Sequence, residues 1–348
     1  MEPLEQLTVP LLEWFRDNAR SLPWRDDPTP YHVWLSEIML QQTRVAAVLG
    51  YYRRFLEEAP DIAVLAALPE DRLLKLWQGL GYYNRARNLQ RAARVIVDQH
   101  GGVFPADYAA VRALPGVGDY TAGAVCSIAF GQAVPAVDGN VLRVYARICG
   151  DGGDITAPRM KQKVTRAVGE IIPLNAAGTF NQALMELGAT VCLPNGAPLC
   201  QRCPAKGFCA ALAQGRTGEL PVKAPKKARR VEKRAVWLIF WENRVALRRR
   251  PDKGLLAGLW EFPNELFGGQ GPEQWGIDAE LQEWGAQAKH IFTHIEWHMS
   301  ILPAQAKGPP LPPGWVWAGG EELDEKYAVP NAFDRALECA KRRLNGGA

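Results

Sequence analysis

Apolar residues recur at spacings of three and four through the first part of the chain, from Leu4 to about Ala213. That spacing places them on one face of an α-helix, and Pro or Gly separates the successive segments. Strand-like alternation is scarce in this region. The pattern therefore predicts an all-α domain over residues 1–214, with residues 72–77 and 85–97 among its helices.

The pattern changes between residues 215 and 234, where Pro, Lys and Arg replace apolar residues. A segment with so few apolar side chains cannot form a core, and it predicts a basic linker.

Beyond this segment the chain again contains apolar runs. Residues 235–241 and 245–248 are typical of strands, residues 303–313 are rich in turn residues, and residues 331–344 predict a closing helix. A smaller α+β domain over residues 235–348 is the expectation.

Length and charge agree with a chain of more than one domain. A chain of 348 residues usually exceeds what one hydrophobic core supports. Residues 1–234 hold 29 Lys and Arg against 22 Asp and Glu, whereas the rest holds 12 against 15. The front part is thus +7 and the back part −3, which favours a polyanionic partner for the front part, although ordinary solvated charge would also account for it.

Four of the seven cysteines lie within eighteen residues, at Cys192, Cys200, Cys203 and Cys209. In an otherwise cysteine-poor chain this spacing favours metal ligation over a disulfide scaffold. Zinc sites more often use two separated pairs of cysteines, so the loop over residues 192–209 predicts a [4Fe–4S] cluster, with zinc as the rival. The other cysteines are expected to be buried thiols.

Residues 114–120, Leu-Pro-Gly-Val-Gly-Asp-Tyr, stand between two helix-like segments, 108–113 and 121–130. Gly116 and Gly118 allow a partner to approach the turn closely, and backbone N–H groups at the start of the next helix attract anions. The segment fits a helix-hairpin-helix phosphate clamp. A plain connection between helices fits it equally well.

Two acidic residues are candidates for catalysis. Glu37 lies on a mostly apolar helical stripe, where loss of water would raise its pKa and allow it to donate a proton. Asp138 precedes Gly139 and Asn140 at the start of another helix. Cleavage of a glycosidic bond needs two carboxyl groups with separate roles. The structural alternatives are a hydrogen-bonded Glu at a helix crossing and a helix N-cap.

Several motifs occur together in one order along the front part. They are LPWR (22–25), SEIMLQQT (36–43), GLGYYNRARNL (79–89), LPGVGDYTAGA (114–124), VDGNV (137–141), FNQALMELGA (180–189) and the cysteine run. Together they resemble the MutY family of adenine DNA glycosylases, within the helix-hairpin-helix glycosylase superfamily. One departure is the first cysteine gap, which has seven residues where the family normally has six.

The resemblance implies a DNA repair enzyme that flips adenine out of a mispair with 8-oxoguanine or guanine and hydrolyses its N-glycosidic bond. Glu37 would protonate the adenine N7, Asp138 would stabilise the sugar cation or capture it transiently, and Tyr120 and Asn140 would position groups around it. Endonuclease III carries a Lys where this chain has Tyr120. The resemblance therefore implies a monofunctional enzyme that leaves an abasic site.

The same resemblance assigns binding residues. Those implied for the adenine pocket are Trp24, Arg25 and Gln182, and those implied around 8-oxoguanine are Gln42, Thr43, Leu80 and Tyr82. Tyr82 would be the wedge that fills the base stack.

The back part resembles the MutT-like, Nudix-fold domain of the same family, through residues 253–263 and 292–294. It lacks the acidic helix signature with which Nudix hydrolases bind magnesium, so lesion recognition without hydrolysis is implied. Thr293 stands where the family usually has Ser and keeps the hydroxyl, and His294 follows it.

The expected partner is double-stranded DNA containing A:8-oxoguanine or A:G mispairs, bound by a monomer. The first residues carry acid where a secretory signal would carry Lys or Arg, and no apolar run approaches the length of a membrane span. We therefore expect a cytoplasmic, nucleoid-associated protein of bacterial type without a membrane partner.

Two rival functions stay open. The first is a bifunctional glycosylase like endonuclease III, which acts on oxidised pyrimidines and nicks the strand. The second is an iron-sulfur DNA-binding protein without catalysis, for which the basic linker and the cysteine loop would suffice.

Overall fold

The structure is a computed structural model that describes residues 2–225 and 228–346. It divides into two compact units: the first comprises residues 1–67 and 88–225, and the second comprises residues 68–87 and 226–348. Within the described part of the chain, none of the helices combines the length and apolar character that crossing a membrane requires.

The part of the chain before residue 226 is helical, as predicted. The helices are α1 (Thr8–Asn18), α2 (Pro23–Asp26), α3 (Pro30–Leu40), α4 (Val45–Glu58), α5 (Ile62–Ala67), α6 (Glu70–Leu76), α7 (Asn84–His100), α8 (Tyr108–Ala113), α9 (Asp119–Phe130), α10 (Gly139–Ile148), α11 (Pro158–Ile171), α12 (Ala177–Thr190) and α13 (Ala210–Ala213).

Helix α9 is central to the first unit. It packs against α3 and α12, and α12 in turn packs against α10 and α1. Apolar side chains of α1, α10, α11 and α12 form one continuous core, with Leu11, Val144, Val164 and Phe180 fully buried. Burying apolar surface stabilises the fold by about 25 cal/mol per Å², and this is the main stabilising contribution of such a core.

Close approach at Gly123 brings α9 against the segment that leads into α10. A Cβ atom at Gly123 would lie 2.2 Å from the carbonyl oxygen of Pro135, which belongs to the backbone and cannot swing aside. The path of the chain toward Asp138 therefore requires glycine at this position.

The second unit is built on a mixed sheet. Within the described residues its strands are β1 (Arg230–Trp241), β2 (Arg244–Arg249), β3 (Trp260–Glu261), β4 (Asn264–Leu266), β5 (Ala279–Leu281), β6 (Ala286–Ile291), β7 (Ile295–Ala306) and β8 (Trp315–Ala318). The main order is β3-β2-β1-β7-β5, with β4 on β1, β6 on β7 and β8 on β2. Strands β1 and β7 are parallel, and the other pairs are antiparallel.

Both faces of this sheet are covered. Alternate residues of β1 point to opposite faces, so Val236, Leu238 and Phe240 join a core beneath helices α14 (Gly320–Glu325) and α15 (Asp334–Leu344). Trp237 and Ile239 join a smaller core on the other face. The prediction of a helical domain followed by an α+β domain is confirmed.

Three details differ from the sequence pattern. Strand β1 begins at Arg230, inside the predicted basic linker, because its first residues pair with β7. The turn-rich stretch 303–313 begins inside β7, where Pro303 opposes Leu238 of β1. Residues 68–87 belong with the second unit although they lie within the helical part of the chain.

We expect Gly123→Ala to destabilise the protein by about 1–3 kcal/mol, because the added methyl group would overlap the Pro135 carbonyl. Gly169→Ala is the matched control: it lies in α11, and its Cβ would meet Pro135 at an ordinary 3.8 Å. Alanine there should be neutral or stabilising by about 0.5–1 kcal/mol. Urea unfolding measures both, and equal effects would contradict the packing argument.

Candidate active site

A cavity of about 860 Å³ opens in the first unit. It is lined from α2, α3, α9, α12 and the start of α10, and it brings together side chains that lie far apart in sequence. The sequence-predicted residues that line it are Trp24, Arg25, Glu37, Gln42, Thr43, Tyr120, Asp138, Asn140 and Gln182.

Glu37 is buried in the last turns of α3, with 6% of its surface exposed. The pKa of its carboxyl group is raised to about 7, mainly by burial and also by the nearby charge of Asp138, although hydrogen bonding to Tyr120 and the charge of Arg25 act in the opposite direction. The Tyr120 hydroxyl donates a hydrogen bond to Glu37 Oε2. The group therefore exchanges its proton near neutral pH.

Asp138 is the N-cap of α10. Its Oδ1 accepts a hydrogen bond of 2.8 Å from the Val141 N–H, and its Oδ2 accepts one of 2.7 Å from Asn140 Nδ2. Burial raises the pKa of Asp138, and these donated hydrogen bonds oppose the rise. The Asp138 carboxylate thus caps α10 and also lines the cavity, so the structural and the functional interpretations are compatible.

Arg25 closes one side of the cavity. Its Nε donates to Gln182 Oε1 at 3.1 Å, and its Nη2 donates to Glu186 Oε2 at 2.8 Å. Glu186, which is buried, also accepts two hydrogen bonds from the Arg20 side chain, at 2.5 and 2.9 Å. Hydrogen bonds and charge from the two arginines hold the Glu186 pKa below its usual value despite its burial.

Glu186 was not among the sequence-predicted residues. It lies one helical turn after Gln182 on α12, and this spacing of a carboxylate and an amide on one face was the available signal. Its arginine partners come from near the N-terminus, and no local pattern indicates them.

Two further buried side chains connect α10 to the cysteine loop. Arg143 donates to the carbonyl oxygens of Gly188 and Cys192, each at 2.8 Å. Arg147 donates to the carbonyl of Leu193 at 2.8 Å. Both arginines point into the first unit, so the helix that begins at the catalytic candidate Asp138 also holds the loop in place.

The four clustered cysteines line one small cavity, together with apolar side chains of α10 and α12; they are Cys192, Cys200, Cys203 and Cys209. None of these four cysteines forms a disulfide bond within the described residues. Burial raises the pKa of Cys203 to about 12, and the other three sulfur atoms add to the rise because they lie close by. Among the described residues, no group of three or more His, Cys, Asp or Glu side chains is arranged to hold a metal ion. Four thiols facing one apolar cavity are the donor set of an iron-sulfur cluster, and they fit it in this respect.

The predicted hairpin connects α8 to α9. Gly116 has φ of +76°, and a Cβ atom there would lie 2.6 Å from the Asn88 side chain. Gly118 is the N-cap of α9, and Arg112 pairs with Asp119 at 2.6 Å across the turn. The hairpin is therefore a fixed turn that presents the exposed start of a helix.

The remaining predicted residues lie in the second unit. Tyr82 is half exposed at φ of +48°, and its hydroxyl lies 3.2 Å from the Thr293 hydroxyl. Leu80 is buried, and His294 is exposed. Tyr82 and Thr293, separated by 211 positions, are thus brought together by the fold.

Comparisons with known proteins identify the family of each part of the chain. Residues 35–170 match the HhH-GPD superfamily of base excision DNA repair proteins, and residues 235–339 match the NUDIX domain family. A thermostable thymine-DNA glycosylase shares the fold with a TM-score of 0.56 and 28% identity, over 61% of this chain and 97% of that one. Endonuclease III in a non-covalent complex with DNA gives 0.52 and 25%, over 62% and 99%. Fold and site thus define a helix-hairpin-helix DNA glycosylase with a Nudix-like domain.

The adenine DNA glycosylase of Mus musculus is 35% identical in an alignment that covers 97% of this chain and 78% of the mouse protein. The chain belongs to the adenine DNA glycosylase family. It is a DNA-binding enzyme of base excision repair that hydrolyses N-glycosidic bonds, which confirms the predicted class, enzyme type and nucleic-acid partner.

The raised pKa of Glu37 predicts a pH-dependent effect of Glu37→Gln on stability. A carboxyl group whose pKa rises on folding from 4.5 to about 7 costs the native state progressively more as pH increases through that window. The variant should therefore gain up to about 3 kcal/mol relative to wild type at pH 8 and almost nothing at pH 4. Thermal unfolding at both values measures this, with the exposed Glu57→Gln as control. A pH-independent difference would contradict it.

Proposed function

We propose that the enzyme excises adenine paired with 8-oxoguanine or guanine, without cutting the DNA strand. The observation that carries the proposal is the convergence of Glu37, Tyr120 and Asp138 on one cavity large enough for an extruded nucleobase. Flipping takes the adenine out of the duplex, so the reacting bond becomes accessible to both carboxyl groups.

Glu37 supplies the proton. Its pKa of about 7 leaves a large fraction protonated at neutral pH, and the proton passes to adenine N7 as the bond from C1′ to N9 breaks. Both bonding electrons leave with the base. Tyr120 holds the Glu37 carboxyl group in place.

Asp138 stabilises the positive charge that develops on the sugar. Its two oxygens are fixed by the Val141 N–H and by Asn140, so the carboxylate needs no rearrangement when the cation forms. Water then adds at C1′ and gives its proton to the Glu37 carboxylate, which leaves an abasic site and restores the acid.

Adenine itself would lie against Trp24, Arg25 and Gln182. The indole ring is buried, and Gln182 can present donor and acceptor groups to the purine edge. The Arg25 guanidinium is held by Glu186, which fixes the wall against which the base packs.

The absence of strand cutting is proposed from Tyr120, which stands at the position where endonuclease III has its lysine nucleophile. This argument disfavours the bifunctional rival. Lys161 also lines the cavity, so strand nicking is measured directly in the experiment below.

Recognition of the opposite base is proposed for the second unit and for Gln42 and Thr43 at the end of α3. Thr293 and Tyr82 form an exposed hydroxyl pair, and hydroxyl groups can accept from the N7 hydrogen that distinguishes 8-oxoguanine from guanine. Tyr82 would enter the base stack as a wedge, and the exposed hairpin with Gly116 and Gly118 would bind phosphate.

A [4Fe–4S] cluster is proposed on Cys192, Cys200, Cys203 and Cys209. When bound, it would supply a rigid framework for the loop that carries Arg202 and Lys206, whose side chains are exposed for contact with DNA. Since one chain supplies every residue of the catalytic cavity, a monomer is sufficient for this function.

Glu37→Gln should lower the single-turnover excision rate by at least about 10²–10⁴-fold, because the proton donor is lost, and should leave duplex affinity nearly unchanged. The assay uses A:8-oxoguanine and A:G duplexes with and without alkali, and Glu57→Gln as control. Turnover by the variant would remove Glu37 from its role, and nicking without alkali would overturn the monofunctional assignment.

Thr293→Val should reduce the preference for A:8-oxoguanine over A:G by about tenfold, since a hydroxyl group that binds the lesion is replaced by an isosteric methyl group. Thr293→Ser keeps the hydroxyl and should keep most of the preference. The ratio of excision rates on the two duplexes is the measurement, and equal ratios for wild type and Thr293→Val would contradict the role of Thr293.

A further inference from the structure

The loop that carries Tyr82 has an unusual backbone. Gly79, Gly81 and Tyr82 all have positive φ, at +103°, +70° and +48°. A tyrosine in this region is uncommon and costs energy, so the conformation persists only where surrounding contacts fix it. The conformation of the loop therefore depends on groups outside it.

Some of those groups lie next to the loop. Trp77 Nε1 donates to the carbonyl of Gly81 at 3.1 Å, and the Arg85 guanidinium donates to the carbonyls of Leu80 and Gly81 at 2.9 and 3.1 Å. These bonds shape the loop internally. They do not determine where its tip lies relative to Thr293.

Other contacts join residues 68–87 to the C-terminal part of the same unit. The Lys75 ammonium group donates to the carbonyls of Leu323 and Tyr327 at 3.0 and 3.2 Å, as well as to Gln78 Oε1 at 2.7 Å. Leu323 lies in the short helix α14, and Tyr327 follows its end. A cation at carbonyl groups near a helix C-terminus is favoured by their partial negative charge.

Two more hydrogen bonds join the loop segment to the C-terminal part of the second unit. Asn331 Nδ2 donates to the carbonyl of Gly79 at 2.9 Å, directly at the first residue of the loop with positive φ. Arg87 Nη2 donates to the carbonyl of Ala257 at 2.8 Å, beyond the other end of the loop. The loop is thus fastened on both sides to the part of the chain that carries Thr293.

We propose that Lys75 and Asn331 are positioning residues for recognition of the base opposite adenine, acting by holding Tyr82 in register with Thr293. This inference rests on the proposed function. Neither residue needs to contact DNA, because each bonds to backbone carbonyls within the second unit. Loss of either should allow the Tyr82 and Thr293 hydroxyl groups to separate.

The test uses the 348-residue chain with Lys75→Met, which keeps the length of the side chain and removes its donors, and with Asn331→Ala. Lys326→Met is the matched control, since Lys326 directly precedes Tyr327 in the chain but its side chain is exposed and pairs with Glu322. Each variant is assayed for single-turnover excision on A:8-oxoguanine and A:G duplexes. Lys75→Arg, which restores a cationic donor, tests for rescue.

We expect the preference for A:8-oxoguanine over A:G to fall about tenfold in Lys75→Met and Asn331→Ala, as for the loss of one hydrogen bond to a lesion, and to stay unchanged in Lys326→Met. Lys75→Arg should recover part of the preference. Combining Lys75→Met with Thr293→Val should reduce it little further than either change alone, because both act on one contact. An unchanged preference, an equal loss on both duplexes, or additive effects would overturn the proposal.

Amide hydrogen exchange separates failure of this inference from failure of the proposed function. Residues 79–83 should exchange at least about tenfold faster in Lys75→Met and Asn331→Ala than in wild type and in Lys326→Met, whether or not the enzyme prefers 8-oxoguanine. If exchange is unchanged, the positioning role is refuted. If exchange rises while wild type itself shows no preference between the two duplexes, the lesion specificity is wrong and the selectivity role proposed here fails with it.

Discussion

The burial of Glu37 is the constraint on which the site depends. A carboxyl group in water ionises well below neutral pH and would have no proton to give. Helix α3 places this group on its buried side, against α9, and Tyr120 supplies one directed hydrogen bond in place of solvent. Asp138, a few side chains away, is surrounded instead by N–H donors. One cavity therefore holds an acid that stays largely protonated up to about neutral pH and a second acid whose charge is stabilised by hydrogen bonds.

Helix α10 connects the cavity that contains Glu37 and Asp138 to the cysteine loop. Its first turn is capped by Asp138, and its middle and end carry Arg143 and Arg147, whose bonds reach the cysteine loop. The helix can lie close to α12 because position 188 is glycine: a Cβ there would be 2.5 Å from that of Asn140. The Asp138 carboxylate is thus held by the backbone of α10, and the buried arginines of the same helix hold the cysteine loop.

The sequence allowed much of this to be predicted, because the informative signals were local. Helical periodicity located α3, α7 and α9, and motif order indicated the residues around the cavity. Contacts between segments far apart in the chain could not be predicted from the sequence. Glu186 meets arginines from near the N-terminus, and β7 continues through Pro303 because a parallel partner strand supports it. Local composition did not indicate the Glu186 ion pairs or the continuation of β7, because both depend on tertiary contacts.

Residues 68–87 show that order along the chain and order in space differ in this protein. They are encoded among the helices of the glycosylase domain, yet Lys75, Gly79 and Arg87 bond to segments encoded well over a hundred positions later. If the chain were divided at the basic segment, α6 and the Tyr82 loop would stay on the N-terminal fragment, separated from the second unit to which they belong. The second unit, made without residues 68–87, would lack part of its own structure. A chimaera that takes its second unit from a relative would therefore need residues 68–87 of that relative as well.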